Sequence, residues 1–218
     1  MLQMSPVAVK EREEFIPIVL PPISDTYYII QKRFGEEWHD LREWLTPEAA
    51  KVVEYASKLY DADRDRFILN CWSWLSFSYA YACSDYYMMK AVICSRSVWG
   101  TYRQYDFWEF PSELIARYEE GQKWKKRAAC DCDGGSFLLA SLLLTYTNNV
   151  FVNVGKIHNS GHAWVSVLRD GREYILETTL RDEMMQALLD IDPWCPVERF
   201  PEYRVQYKFD DHNVVLTP

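Results

Sequence analysis

Apolar residues recur at helical spacing along the first two thirds of the chain and at alternate positions after residue 150, which predicts helices first and strands second. Residues 1 to 25 read as an extended arm, because Ile16-Pro17-Ile18-Val19-Leu20-Pro21-Pro22 mixes apolar residues with prolines that exclude a helix. Asp25 to Leu45 carries mixed charge and suits a helix. Thr46-Pro47-Glu48 reads as a helix start, with Thr at the cap and Pro at the first helical position. Behind it, Val52, Val53, Tyr55, Ala56, Leu59 and Tyr60 form an apolar stripe. Phe67 to Tyr81 is apolar and aromatic nearly all round and predicts a buried helix. Ser84 to Val98 continues as helix or irregular structure. Phe110-Pro111-Ser112-Glu113 starts a short helix to about Glu120, and Gly121 to Lys126 reads as a polar loop. A further helix runs from Cys132 through Leu144.

Val150 to Val154, His162 to Leu168 and Glu173 to Thr178 predict strands, the last two joined by the hairpin signal Asp170-Gly171. Arg181 to Leu189 predicts a short helix and Tyr203 to Phe209 a last strand. Helices followed by antiparallel strands imply an α+β fold. The chain shows no internal repeat.

Composition narrows the function classes. The 218 residues are 49% hydrophobic and 26% charged, which excludes a mainly disordered chain. The net charge of −8 argues against nucleic acid as a partner, since phosphate binding needs a basic face. Aromatic residues reach 16%, with nine Trp and fifteen Tyr, which implies a large aromatic core or a groove for an extended ligand. The N-terminal residues lack a secretory pattern, and the best candidate for a span, Phe137 to Leu144, falls far short of the ~18 residues of a membrane span. The expectation is a cytoplasmic protein with no membrane partner. Its six cysteines, at 71, 83, 94, 130, 132 and 195, are then reduced thiols.

Three residues carry candidate chemistry. Cys132 stands at the start of an apolar helix, where the helix dipole and free backbone N–H groups stabilise a thiolate. The flanking Asp131 and Asp133 oppose that, because nearby negative charge raises a thiol pKa. A base or imidazolium resolves the conflict, and His162 is the candidate. With a two-residue turn at Asp170-Gly171, Arg169 pairs with Arg172 and Val167 with Tyr174. Trp164 then pairs with Glu177 and His162 with Thr179. Glu177 lies diagonal to His162 on the same sheet face. A carboxylate held against Nδ1 of that histidine fixes its tautomer and stabilises the imidazolium, as a Cys–His nucleophile requires.

These residues carry a family resemblance. Asp131-Cys132-Asp133, followed by Ser136 and the run Leu138 to Leu143, resembles the nucleophile helix of the transglutaminase-like superfamily. Gly161-His162-Ala163-Trp164-Val165 resembles its His strand, and Tyr174-Ile175-Leu176-Glu177-Thr178-Thr179 its acid strand. Tyr105 to Leu114 is similar to the segment that precedes the cysteine in bacterial, archaeal and phage members. Three positions depart from the family pattern: Cys130 where Gly is common, Gly134 where a second acid is common, and Glu177 where the acid is commonly Asp.

The resemblance implies a papain-like α+β core, with a nucleophile-bearing helix on an antiparallel sheet. Residues 1–60 are then an N-terminal arm and helical extension, and residues 61–218 the catalytic domain. It implies a Cys132–His162–Glu177 triad that transfers an acyl group through a thioester, hydrolysing a peptide or amide bond in a peptide or protein substrate. Transfer to an amine, as in a transglutaminase, is the alternative acceptor chemistry. A non-enzymatic interaction module on the same fold is the alternative class. Trp108 is the candidate oxyanion-hole side chain, with Trp99 second. Cys130 is a small packing residue or a resolving thiol for an oxidised Cys132. Cys130, Cys132, His158 and His162 also offer four zinc-type ligands, but Cys-x-Cys is tighter than the usual spacing, and no metal is expected. No cofactor motif is present: there is no phosphate loop, no G-x-S-x-G and no H-E-x-x-H.

Overall fold

A computed structural model describes residues 29–30, 39–81, 108–158, 160–180 and 182–216. The proline-containing arm, Ser84 to Val98, Trp99, Cys83 and Cys94 lie outside the described residues.

The segment expected to be helical before Leu45 instead contains two short antiparallel strands, β1 (Ile29–Ile30) and β2 (His39–Asp40). Asp40 ends β2 by accepting from the Arg42 backbone N–H at 2.9 Å, which starts a 3-10 turn over Leu41–Trp44 that buries Leu41 and Trp44. Helix α1 (Ala50–Leu59) begins later than the Thr46-Pro47 signal predicts. Thr46 to Ala49 form a turn, with the Ala49 N–H on the Thr46 carbonyl at 3.1 Å, and the Thr46 N–H is taken by the Ser141 hydroxyl at 3.0 Å.

Helix α2 (Arg64–Ser78) is capped by Asp63, whose side chain accepts from the Arg66 N–H. It buries one face, through Phe67, Ile68, Cys71, Trp72 and Leu75, while Phe77 is 40% exposed, so it is one-sided rather than apolar all round. It also ends earlier than expected. Tyr79–Tyr81 leaves the helix to form β3, parallel to β4 (Ala128–Cys130). A partner about fifty residues downstream decides the conformation there, helped by the Tyr79 hydroxyl on the Leu114 carbonyl and the Arg127 guanidinium on the Tyr79 carbonyl. Helix α3 (Pro111–Lys123) starts at the Pro, where Glu113 reaches back to the Phe110 N–H at 2.9 Å. It extends through residues 121–123, which the sequence assigns to a loop.

Helix α4 (Cys132–Leu144) has the predicted limits. It is buried all round from Asp133 to Leu143, enclosed by α1, α2 and α3 on one side and the sheet on the other. Phe137, Leu138, Leu139, Leu142 and Leu143 are each 0% exposed, and burial of such a side chain stabilises by about 1.5–3 kcal/mol. The core is strongly aromatic. Trp44 stacks on Phe110 at 4.8 Å, and Trp108 meets Phe137 edge-on at the same distance.

The six-stranded sheet has the order β10-β9-β5-β6-β7-β8, with antiparallel neighbours throughout. Its strands are β5 (Val150–Ile157), β6 (Ser160–Arg169), β7 (Arg172–Leu176), β8 (Cys195–Pro196), β9 (Tyr203–Phe209) and β10 (Val214–Leu216). Helix α5 (Asp182–Ile191) lies between β7 and β8 in the chain. The β6–β7 turn has positive φ at both Asp170 (51°) and Gly171 (75°), as the tight hairpin requires. The architecture is the expected α+β one, with helices packed on an antiparallel sheet. Among the described residues, no helix is long and apolar enough to cross a membrane.

Candidate active site

Cys132 is the first residue of α4 and is partly exposed. Asp131 caps the helix, its side chain accepting from the Gly134 N–H at 3.1 Å while its carbonyl accepts from the Gly135 N–H. One oxygen of that carboxylate is therefore engaged by a backbone donor. The first turn of α4 docks on the segment after β7. The Cys132 carbonyl accepts from the Ser136 hydroxyl at 2.6 Å and from the Thr178 hydroxyl at 3.4 Å. Gly135 makes this close approach feasible: a Cβ there would stand 3.2 Å from both Cβ and Oγ1 of Thr178.

The β6–β7 register is the predicted one, with Arg169 opposite Arg172 and Val167 opposite Tyr174. Pairing stops at Val165–Leu176, so the expected Trp164–Glu177 and His162–Thr179 pairs are not part of the ladder. The Glu177 carbonyl turns instead to the Trp72 indole N–H on α2, at 2.8 Å. The side chain nevertheless reaches its predicted partner: Oε2 of Glu177 is 2.9 Å from Nε2 of His162. This corrects the expected nitrogen, since the carboxylate meets Nε2 and not Nδ1. A carboxylate only accepts, so Nε2 carries the hydrogen and Nδ1 is the nitrogen that remains to act as base.

Glu177 is held by more donors than His162. Its Oε1 accepts from the Thr179 backbone N–H at 2.9 Å and the Thr179 hydroxyl at 2.8 Å, and its Oε2 also accepts from the Tyr203 hydroxyl at 2.9 Å. Burial alone would raise the carboxyl pKa, but the hydrogen bond and charge of His162 and the Thr179 donors outweigh it and hold the group below its ordinary value. Burial, and then the Glu177 charge, push the Tyr203 phenol up, which keeps it a donor. No local sequence signal marks Tyr203, Thr179 or Trp72: each is brought to the site by nonlocal packing or a chain turn.

The structure brings His162 and Glu177 into direct contact and joins Cys132 to the same segment through Thr178. Trp108 is 2% exposed and belongs to the aromatic core between Trp44 and Phe137. Cys130 is 3% exposed, its sulfur 3.6 Å from where a Gly135 Cβ would lie, and burial pushes its thiol up to about 12. That is the behaviour of a packing residue. His158 stands exposed in the β5–β6 turn, and among the described residues no three His, Cys, Asp or Glu are grouped to hold a metal ion.

A buried helix opens on Cys132, packs on an antiparallel sheet and docks on Thr178, while His162 on β6 holds Glu177 just beyond the end of β7. The fold is α+β, with helices packed on an antiparallel sheet. Among solved structures, the chain is similar to EGTA-treated LapG of Legionella pneumophila, at 15% identity and a TM-score of 0.40 over 77% of this chain and 84% of that one. A second structure of Legionella pneumophila LapG is similar at 16% identity and a TM-score of 0.39, over 76% of this chain and 86% of that one. No family model matches the chain. No curated protein matches it.

Proposed function

We propose that the protein is a cysteine-dependent acyl-transfer enzyme that hydrolyses a peptide or amide bond. Cys132 is the nucleophile, His162 the base and Glu177 the residue that orients the imidazole. Nδ1 of His162 takes the Cys132 proton as sulfur attacks the substrate carbonyl. The imidazolium returns that proton to the leaving amine as the C–N bond breaks, leaving a thioester. Water then adds to the thioester with His162 as base, the C–S bond breaks, and carboxylate and thiol are restored. The backbone N–H of Cys132 and the indole N–H of Trp108 are the candidate donors to the developing oxyanion.

The observation that carries this reading is the His162–Glu177 contact at 2.9 Å, with Glu177 ionised and fixed by Thr179 and Tyr203. A carboxylate so placed fixes the orientation and tautomer of the imidazole. The test is the pH profile of iodoacetamide labelling, read thiol by thiol by mass spectrometry, in the native chain and in His162→Ala. Cys132 is expected to label fastest, with an apparent pKa below the ~8.5 of free cysteine, and to lose that advantage without His162. A Cys132 no faster than Cys195 rejects the mechanism. Screening a peptide mixture with and without a primary amine then separates hydrolysis from transfer to an amine.

A further inference from the structure

A second feature adjoins the acid of the triad. A cleft of about 170 Å³ opens between β7, the segment before α5, and the loop into β9. Trp72, Leu180, Leu188 and Phe200 wall it, and Glu177 and Tyr203 supply its polar edge. Neither Cys132 nor His162 lines it. A preformed apolar cavity of about 150 Å³ accepts a benzene ring, so this cleft has room for one ring or one branched aliphatic side chain. Its polar groups are already engaged: Oε2 of Glu177 is shared by His162 and Tyr203, and both Oε1 bonds go to Thr179. An incoming polar or charged group would lose its hydration with little to replace it, whereas an apolar group gains.

We propose that this cleft is a specificity pocket, which receives one aromatic or branched aliphatic side chain of the peptide substrate at a residue removed from the scissile bond. The assignment rests on the peptidase reading for its substrate, though not for its ability to bind. Glu177 lines the cleft and also holds His162 at 2.9 Å, so an occupant lies against the acid and one residue away from the imidazole. It therefore selects which peptides are aligned, and leaves the chemistry of the thiol unchanged.

Cys195 also lines the cleft and is partly exposed, which supplies a reporter independent of turnover. The experiment measures iodoacetamide labelling of Cys195 in the full chain carrying Cys132→Ala, against rising N-acetyl-phenylalaninamide, N-acetyl-leucinamide, N-acetyl-alaninamide or N-acetyl-aspartamide. The first two are expected to protect Cys195 saturably, and the last two to leave its rate unchanged at the same concentrations. Leu188→Trp, which fills the cleft, is expected to slow Cys195 labelling with no ligand present and to abolish the protection. In the Cys132-containing enzyme, the same substitution is expected to lower kcat/KM about tenfold for peptides bearing a ring or leucine at the selected position, while Cys132 labelling stays as in the native chain. Equal Cys195 labelling with all four amides overturns the pocket. Protection without any side-chain preference in cleaved peptides overturns its assignment to substrate. If no peptide is cleaved while protection is seen, the peptidase reading fails and with it the substrate assignment, but the apolar site stands.

Discussion

Tyr203 donates its hydroxyl hydrogen to Oε2 of Glu177 at 2.9 Å, the same oxygen that holds Nε2 of His162. The two residues come from β9 and from the end of β7, which are not neighbours in the sheet. A phenol fixed on the carboxylate prevents it from rotating away from the imidazole, and so acts on the histidine through the acid. On the proposed mechanism, Tyr203 is thus a positioning residue. Tyr203→Phe keeps the ring and its packing against Trp164 at 5.0 Å, and removes only the donor. Loss of one hydrogen bond to a charged group costs about 1.5–3 kcal/mol. The expected outcome is a fall of about tenfold or more in the rate of Cys132 labelling, with its acidic limb moved to higher pH because Glu177 becomes easier to protonate. KM for peptides is expected to move less than kcat. An unchanged acidic limb would mean that the phenol only fills space.

The lowered pKa of Glu177 makes folding stability depend on pH in a defined direction. Burial opposes ionisation, but His162 and Thr179 prevail, so the folded pKa lies below the unfolded one, whose ordinary value is 4.5. The stabilisation is therefore fully present above that ordinary value and is lost as pH falls through the folded pKa. The native chain is expected to lose more thermal stability between pH 6 and pH 3 than Glu177→Gln does, as read by melting temperature at each pH. In the same variant, Cys132 labelling at pH 7 is expected to fall by about a hundredfold or more, since the amide cannot stabilise the imidazolium.

A substitution at Trp108 tests the proposed oxyanion donor apart from the proposed nucleophile. Trp108→Phe preserves an aromatic ring against Trp44 and Phe137 and removes the indole N–H. If that N–H meets the oxyanion, kcat for peptide hydrolysis is expected to fall by about a hundredfold. Iodoacetamide labelling of Cys132 builds no oxyanion, and is expected to stay within about twofold of native. Equal and small effects on both assign Trp108 to the core alone.

What could be read from the chain follows how local the determinants are. Helix α4 was legible from Cys132 to Leu144 because an Asp cap directly precedes an unbroken apolar run. The hairpin register was legible because Asp170 and Gly171 suit the positive φ of that turn, and with it came the meeting of His162 and Glu177. Tyr79–Tyr81 misled because an aromatic stretch suits a helix as well as a strand, and its strand partner Ala128–Cys130 is remote in sequence. The same holds at the site. Glu177 leaves the ladder, with its carbonyl on the Trp72 indole and its carboxylate on Nε2 of His162, and Tyr203 arrives from a strand paired with β5 and β10. Contacts made across the sheet order leave no local pattern to read.

Gly135 sets how closely the start of α4 approaches the segment after β7. Replacing it with alanine gains up to about 1 kcal/mol of helix propensity. Against this, the new Cβ stands 3.2 Å from Cβ and Oγ1 of Thr178. Thr178 cannot yield freely: it is 6% exposed, and its hydroxyl lies 3.3 Å from the Ser136 hydroxyl and 3.4 Å from the Cys132 carbonyl. Overpacking of this kind costs about 1–3 kcal/mol, so the net effect of Gly135→Ala is expected to be a loss of about 1 kcal/mol in chemical unfolding. Because Thr178 follows Glu177 directly, the same shift is expected to slow Cys132 labelling. Gly161→Ala is the control. It lies one residue before His162, and among the described residues, chain neighbours aside, no atom stands within 4 Å of its would-be Cβ, so stability is expected to stay unchanged. A Gly135→Ala chain as stable and as reactive as the native one would show that the helix start and the acid segment are not held in register by this contact.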